Sequence, residues 1–264
     1  MVIISIALVV SIAAYFSTRQ LGKDIERVNL HEAELERVRL KRQLTNNINH
    51  ELKTPVASMG VCLETLLSGI SLSEEKRQEL IGRCYMQNER LRRLLNDVSL
   101  ITRMEDGGAF IGKEPLLIND IISEVQSELN VMPREERLNL HVDFKDNVTI
   151  EGNLSLIASI FSNLTENAIA YSEGQNIYIS LLENTKQSCR IRFEDDGRGV
   201  VEKHLPHLFE RFYRVDKGRS RQKGGTGLGL AIVKHAVLVH GGTIAVCNRP
   251  EGGLRFEFTL CKHP

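Results

Sequence analysis

Gly224-Gly225-Thr226-Gly227-Leu228-Gly229-Leu230 stands at the head of an apolar, helix-periodic stretch that runs to His240. Its glycines follow a GxGxG spacing, and Leu230 takes the place where a dinucleotide fingerprint has its third glycine. No GxxxxGKS/T occurs in the chain, so a P-loop is excluded. What remains is a glycine turn on a helix N-terminus, whose unpaired amides form a cradle for an anion. The texture around it is α+β. Strands are predicted at Leu138–Phe144, Val148–Glu151, Asn176–Leu182, Arg190–Glu194, Thr243–Cys247 and Arg255–Leu260, with helices at 118–130, 153–171 and 228–240. Residues 113–262 are enough for an independent core.

Two further patterns fall inside this α+β region. Asn163-Leu164-Thr165-Glu166-Asn167-Ala168 precedes Tyr171 and Ser172. Asn163 and Asn167 are spaced i,i+4 and share a helix face. Two such amides are either structural or offer oxygens to a phosphate-bound Mg²⁺, which keeps most of its waters and takes few protein ligands. Asp195-Asp196-Gly197-Arg198-Gly199 follows a predicted strand directly. Alone it is an ordinary Asp-Gly turn. Its functional reading has Asp195 accepting from an adenine amino group, with Gly197 and Gly199 letting the backbone approach the base.

Upstream the pattern is purely helical. Leu44, Ile48, Leu52, Val56, Met59, Leu63 and Leu66 repeat at helical spacing, and Ser68-Gly69-Ile70-Ser71 breaks the run. Ser73 with Glu74 and Glu75 opens a second helix that repeats apolar residues through Ile101 and stops near Asp106-Gly107-Gly108. Two helices of this kind cannot bury both apolar stripes alone. Pairing two hairpins into a four-helix bundle would, so a homodimer is expected. The first helix carries Asn47-Ile48-Asn49-His50-Glu51-Leu52-Lys53-Thr54-Pro55. A neutral imidazole is a competent nucleophile once a neighbour holds one nitrogen protonated, and Glu51 can be that acceptor. Thr54 lies one turn beyond His50 on the same face, where a hydroxyl can orient water. Pro55 removes the hydrogen bond to the Glu51 carbonyl and weakens the helix beside His50.

Taken in this order, the four patterns resemble those of the membrane sensor histidine kinases of two-component systems. The resemblance covers residues 44–262. Asn47–Pro55 is similar to that family's H box, Asn163–Ser172 to its N box and Phe209-Glu210-Arg211-Phe212-Tyr213-Arg214 to its F box. Asp195–Gly199 and Gly225–Gly229 are similar to its two glycine boxes. The resemblance implies an α plus α/β architecture. A dimeric helical-hairpin phosphotransfer domain over 44–106 would be followed by a Bergerat-type (GHKL) α/β sandwich binding ATP over 113–262. It implies that His50 takes the γ-phosphoryl group of ATP, that Glu51 assists as base and that Thr54 helps to dephosphorylate the partner. Asn167 would ligate Mg²⁺, and Asp195 would read adenine. Asn163, Tyr171, Gly197, Gly199, Gly225, Gly227 and Gly229 complete the implied nucleotide site. The phosphoryl group would pass to an aspartate on the receiver domain of a response regulator.

One position departs from the family. Lys or Arg is usual three residues after the Mg²⁺-binding Asn, and here Ala170 stands there. The segment 211–223 holds Arg211, Arg214, Lys217, Arg219, Arg221 and Lys223 against Asp216. Arg214 and Lys217 are therefore expected to supply the missing phosphate contacts. A gyrase- or chaperone-like ATPase would share the glycine boxes but has no use for His50 in a hairpin. A non-catalytic scaffold would have lost nucleotide groups, and Ala170 alone points that way.

The N-terminal end has another character. Met1 to Thr18 carries no charge, Tyr15 and Phe16 sit at interfacial positions, and Arg19, Lys23 and Arg27 follow. As a helix, 18 residues span ~27 Å, close to a hydrocarbon core of ~30 Å. Residues 1–18 are therefore expected to form a transmembrane helix, with everything after Arg19 in the cytoplasm and the chain in the inner membrane. An outside N-terminus with nothing outside implies the last span of a longer sensor. Residues 19–43 form a charge-rich helical linker with a broken heptad stripe of Leu21, Ile25, Val28, Leu35 and Val38.

Composition sets the outer bounds. The chain has 264 residues, of which 42% are apolar, and 34 Lys+Arg balance 34 Asp+Glu. Wholesale disorder is excluded by the apolar content, and zero net charge argues against a nucleic-acid coat. Five scattered cysteines contain no Cys-x-x-Cys, so neither a zinc frame nor a disulfide scaffold is expected. His204, His207 and His240 flank no metal-like cluster, and the cysteines read as core or surface thiols.

Overall fold

Leu254, Phe256, Phe258 and Leu260 alternate with half-exposed residues along one strand, and that strict period of two makes it a central sheet member with one face on a core. The computed structural model describes residues 20, 31, 34, 35, 38, 39, 42, 44–105, 112–135, 137–216 and 225–263. The chain divides into two compact units, Met1–Glu51 and Leu52–Pro264. The expected span 1–18 and most of the linker 19–43 lie outside the described residues. Among the described residues no helix is long and apolar enough to cross a membrane.

Residues 44–67 are helical (α1) and Glu74–Glu105 forms α2. The capping expected at Ser73 is present, since its Oγ accepts from the Lys76 amide at 3.2 Å. Gly69 takes a φ of 73° in the break between the helices, a conformation that favours glycine. Within the second unit the Cys84 thiol faces the Met59 carbonyl at 3.9 Å, so the two helices pack on each other. Cys62, Leu80, Leu94 and Ile101 are buried, whereas Val61, Leu67, Tyr85 and Leu95 are exposed.

The α/β part follows. Its elements are β1 (Glu114–Leu117), α3 (Ile118–Val131), β2 (Asn139–Asp143), β3 (Thr149–Gly152), α4 (Leu154–Asn167), β4 (Asn176–Asn184), β5 (Ser188–Asp195), α5 (Gly229–Val239), β6 (Ile244–Asn248) and β7 (Leu254–Cys261). Five strands form a sheet in the order β2-β4-β5-β7-β6, with β2 parallel to β4 and the other pairs antiparallel. β1 and β3 make a separate antiparallel pair. The six predicted strands are present to within two residues at either end. β1 is an addition, because Glu114-Pro115-Leu116-Leu117 is short and carries a proline that hides its strand character.

Helix α4 is amphipathic, with Leu156, Ile157, Ile160, Phe161 and Leu164 buried, and its first turn is capped by Asn153, which accepts from the Leu156 amide at 3.1 Å. It packs beside α5, and Phe161 meets Phe258 edge to face with ring centroids 6.0 Å apart. Ile177, Ile179, Ile191 and Phe193 fill the core from the sheet. His240 is buried and joins two elements: its Nδ1 lies 2.7 Å from the Ala236 carbonyl, and its Nε2 accepts from the Asn153 amide at 3.1 Å. Those partners define a neutral ring, which burial also favours. The expected single helix over 153–171 differs in one respect. It widens into a π-turn at Ala168–Ser172 and stops where Glu173 adopts a left-handed φ of 61°. Such a turn rotates the following side chains away from the register of α4.

Candidate functional site

The π-turn, the end of β5 and the start of α5 face a common cleft of about 1540 Å³. Asn163, Asn167, Ala170 and Tyr171 line it from α4 and the π-turn. Asp195 and Gly199 line it from the loop after β5, and Gly225, Gly227 and Gly229 from the turn before α5. Arg214 completes this set. Gly224 and Lys217 lie outside the described residues. His50 and Glu51 belong to the first unit; His50 and Thr54 are exposed helical residues.

Local chemistry explains how each side chain is held. Asp195 is 2% exposed, and its Oδ1 accepts from the Gly197 amide at 3.0 Å. Burial pushes its carboxyl up, against the opposing backbone hydrogen bonds of Gly197 and Leu254. Gly197 is not part of the cleft lining. A Cβ there would overlap the Ser172 carbonyl, so glycine lets this turn close onto the π-turn, and the neighbouring Arg198 amide donates to that carbonyl at 2.8 Å. Asp196 points its oxygens elsewhere: Oδ1 accepts from the Gln175 and Asn176 amides at 2.8 Å, and Oδ2 from Asn176 Nδ2 at 2.6 Å. Burial opposes its charge, but the hydrogen bonds from Asn176 and Gln175 outweigh it and hold the carboxyl below its usual range.

The two asparagines are placed differently. Asn163 Nδ2 donates to the Ser159 carbonyl at 2.8 Å, and Oδ1 stands against Gly229, where a Cβ would come within 2.5 Å of it. Asn167 is half-buried on the cleft wall, and its side chain makes no hydrogen bond with other described residues. Its amide oxygen is thus available as a ligand for a hard cation, as Mg²⁺ requires. The donor set and the size of the cleft fit a nucleotide with its metal. Arg214 Nη2 donates to the Gly225 carbonyl at 2.5 Å, which ties the segment after Phe209 to the glycine turn. His204 Nδ1 meets the Tyr213 hydroxyl at 2.6 Å, and His207 Nδ1 meets Glu210 at 2.6 Å, so both histidines brace that segment.

Several residues at this site carry no motif. Asn248 clamps Val200, accepting its amide at 2.9 Å and donating to its carbonyl at 2.7 Å. Arg249 Nη1 donates to the Asp195 carbonyl at 2.8 Å and pairs with the buried Glu194. From α2, Arg93, Asp97 and Arg103 also line the cleft. The only trace of the last three in the sequence is their helical spacing among many other charges.

The chain matches the His Kinase A (phospho-acceptor) domain over residues 40–107 and the Histidine kinase-, DNA gyrase B-, and HSP90-like ATPase domain over residues 152–264. It is 34% identical over 235 residues to Sensor protein KdpD of Clostridium acetobutylicum, covering 88% of this chain and 26% of that protein. It is 32% identical over 225 residues to Sensor-like histidine kinase SenX3 of Mycolicibacterium smegmatis, covering 85% of this chain and 58% of that protein. The chain belongs to the sensor histidine kinases. Among solved structures, this family member has the fold of Acinetobacter baumannii histidine kinase AdeS, with a TM-score of 0.64 at 23% identity, covering 81% of this chain and 98% of that one. It spans between a quarter and three fifths of the length of the two curated relatives named here.

Proposed function

We propose that this chain transfers the γ-phosphoryl group of Mg-ATP to His50 and then to an aspartate on the receiver domain of a response regulator. The observation that carries the reading is convergence. Asn163, Asn167, Asp195 and the Gly225–Gly229 turn come from separate parts of the sequence and line one cleft. Asp195, buried and held by Gly197, accepts the adenine amino group, while the glycine turn and the α5 N-terminus receive the phosphates. Asn167 would hold Mg²⁺, which neutralises phosphate charge when bound. Arg214 and Lys217 are assigned the phosphate contacts that Ala170 does not make.

At the acceptor, an imidazole nitrogen of His50 forms the new P–N bond as the bond between the γ-phosphorus and the bridging oxygen breaks, releasing ADP. Glu51 takes the imidazole proton. In the second step an aspartate oxygen of the regulator displaces His50 from phosphorus. Thr54 orients water for removal of that phosphoryl group from the partner. The phosphotransfer domain is assigned to 44–106 and the ATP-binding domain to 113–262. Exposed Val61, Leu67, Tyr85 and Leu95 support pairing of two hairpins into a four-helix bundle. The uncharged run Met1–Thr18, followed by Arg19, Lys23 and Arg27, supports a membrane span with the body in the cytoplasm and 19–43 as a helical signalling linker.

Incubation with γ-labelled ATP tests the reading. Label that is acid-labile, base-stable and absent from His50→Gln is expected. Label surviving that substitution would reject His50 as the acceptor.

A further inference from the structure

Helix α2 supplies a wall of the cleft, and one of its side chains reaches the glycine turn itself. Asp97 Oδ2 accepts from Thr226 Oγ1 at 2.8 Å. The same Thr226 oxygen accepts from the Leu228 amide at 3.2 Å. A two-bond chain therefore runs from the hairpin helix to the first turn of α5. Thr226 is flanked by Gly225 and Gly227, and Gly227 has a φ of 75°. A turn this rich in glycine has large conformational freedom, and its shape must be imposed from outside. Arg214 holds it at the Gly225 carbonyl, and Asp97 holds it at Thr226.

We infer that Asp97 is a positioning residue for the nucleotide: through Thr226 it holds the glycine turn in the shape that receives the phosphates, so that nucleotide affinity reports the placement of α2. The inference rests on the reading of this cleft as a nucleotide site. Its energetic basis is that a ligand binding one conformation of a loop loses apparent affinity in proportion to the fraction of loop outside that conformation. Removing the Thr226 anchor lowers the competent fraction without touching a group that contacts the nucleotide base.

The surroundings of Asp97 add a signature. Burial pushes its carboxyl up to about 6, against the Thr226 hydrogen bond and the attraction of Arg93 on its own helix; Glu166, from α4, adds to the rise. A carboxyl on a hydrated α2 would titrate near ~3.9. Burial of Asp97 between α2 and the glycine turn, not its hydrogen bond with Thr226, is what favours the proton. The packed arrangement is therefore strongest below ~3.9 and weakens as pH rises through about 6. Asparagine at 97 keeps an acceptor oxygen and removes the titration.

The test is calorimetric titration of the whole 264-residue chain with a non-hydrolysable ATP analogue and Mg²⁺, repeated between about pH 5 and pH 8. Asp97→Ala and Thr226→Val are each expected to weaken binding roughly threefold to tenfold. The double variant should be no weaker than either single one, because the two groups act as a unit. At the acid end of that range Asp97→Asn and Thr226→Ser should stay within about twofold of the parent. Relative to Asp97→Asn, the parent should lose affinity as pH rises through about 6. Asp97→Ala binding as tightly as the parent, or additive effects in the double variant, would overturn the inference. Asp195→Asn separates the two readings. If it loses binding while Asp97→Ala does not, the inference alone fails. If it binds like the parent, the nucleotide reading fails as well.

Discussion

In the α/β part, Ile157, Ile160, Phe161 and Phe193 have no exposed surface, whereas in the hairpin Val61 is 63%, Tyr85 66% and Leu67 83% exposed. Both regions have apolar side chains at regular spacing, so composition does not separate them. The difference is topological. The sheet puts β4, β5 and β7 beside α4 and α5, and each apolar face finds a cover inside the same chain. Two antiparallel helices have only one mutual interface and leave the rest of their stripes outward. Function follows the same division. The cleft needs groups from distant segments held rigidly, which a closed core supplies. In the proposed reaction the phospho-acceptor meets two different partners in turn, a need that an exposed helical residue such as His50 would serve.

The two regions differ most at the core. Phe193→Ala should destabilise the α/β part by about 3–5 kcal/mol in thermal or urea unfolding, since it empties a fully buried aromatic site. A loss under about 1 kcal/mol would contradict a closed core. At the cleft, Asp195→Asn should weaken ATP binding by about 2–3 kcal/mol, roughly 30- to 150-fold, by replacing an acceptor with an amide. At the hairpin, Tyr85→Glu should weaken self-association at least about tenfold in sedimentation while leaving the unfolding of the α/β part unchanged. A smaller effect belongs to Asp196, whose lowered carboxyl stabilises the fold above ~3.9 and ceases to do so as pH falls through its depressed range. The advantage of the parent over Asp196→Asn in urea unfolding should therefore shrink from pH 5 toward pH 2. The smallest is Ala170→Lys, expected to tighten ATP binding by about 1 kcal/mol through an added phosphate contact.

Much of the fold is legible in the sequence because periodicity and punctuation agree. Alternation marks β4, β5 and β7, Ser73 marks the start of α2, and the glycine turn marks the entry to α5. The π-turn is not legible in the sequence: Ser172 and Gly197 meet there across 25 residues, a contact no local pattern encodes. Nor is the α2 wall. Asp97 sits on a highly charged helix, and only folding brings it to Thr226, 129 residues away. Arg249 and Asn248 carry no sequence signal for the same reason, because they act through backbone groups of Asp195 and Val200 and not through a motif of their own.

In the proposed division of labour, the cleft binds the nucleotide and the exposed histidine receives the phosphoryl group. This division is tested most directly by measuring nucleotide binding and γ-phosphoryl labelling on the same preparations of the parent, His50→Gln and Asp195→Asn. His50→Gln is expected to bind nucleotide like the parent and take no label, and Asp195→Asn to lose both. Label on His50→Gln, or parent-like binding by Asp195→Asn, would contradict it.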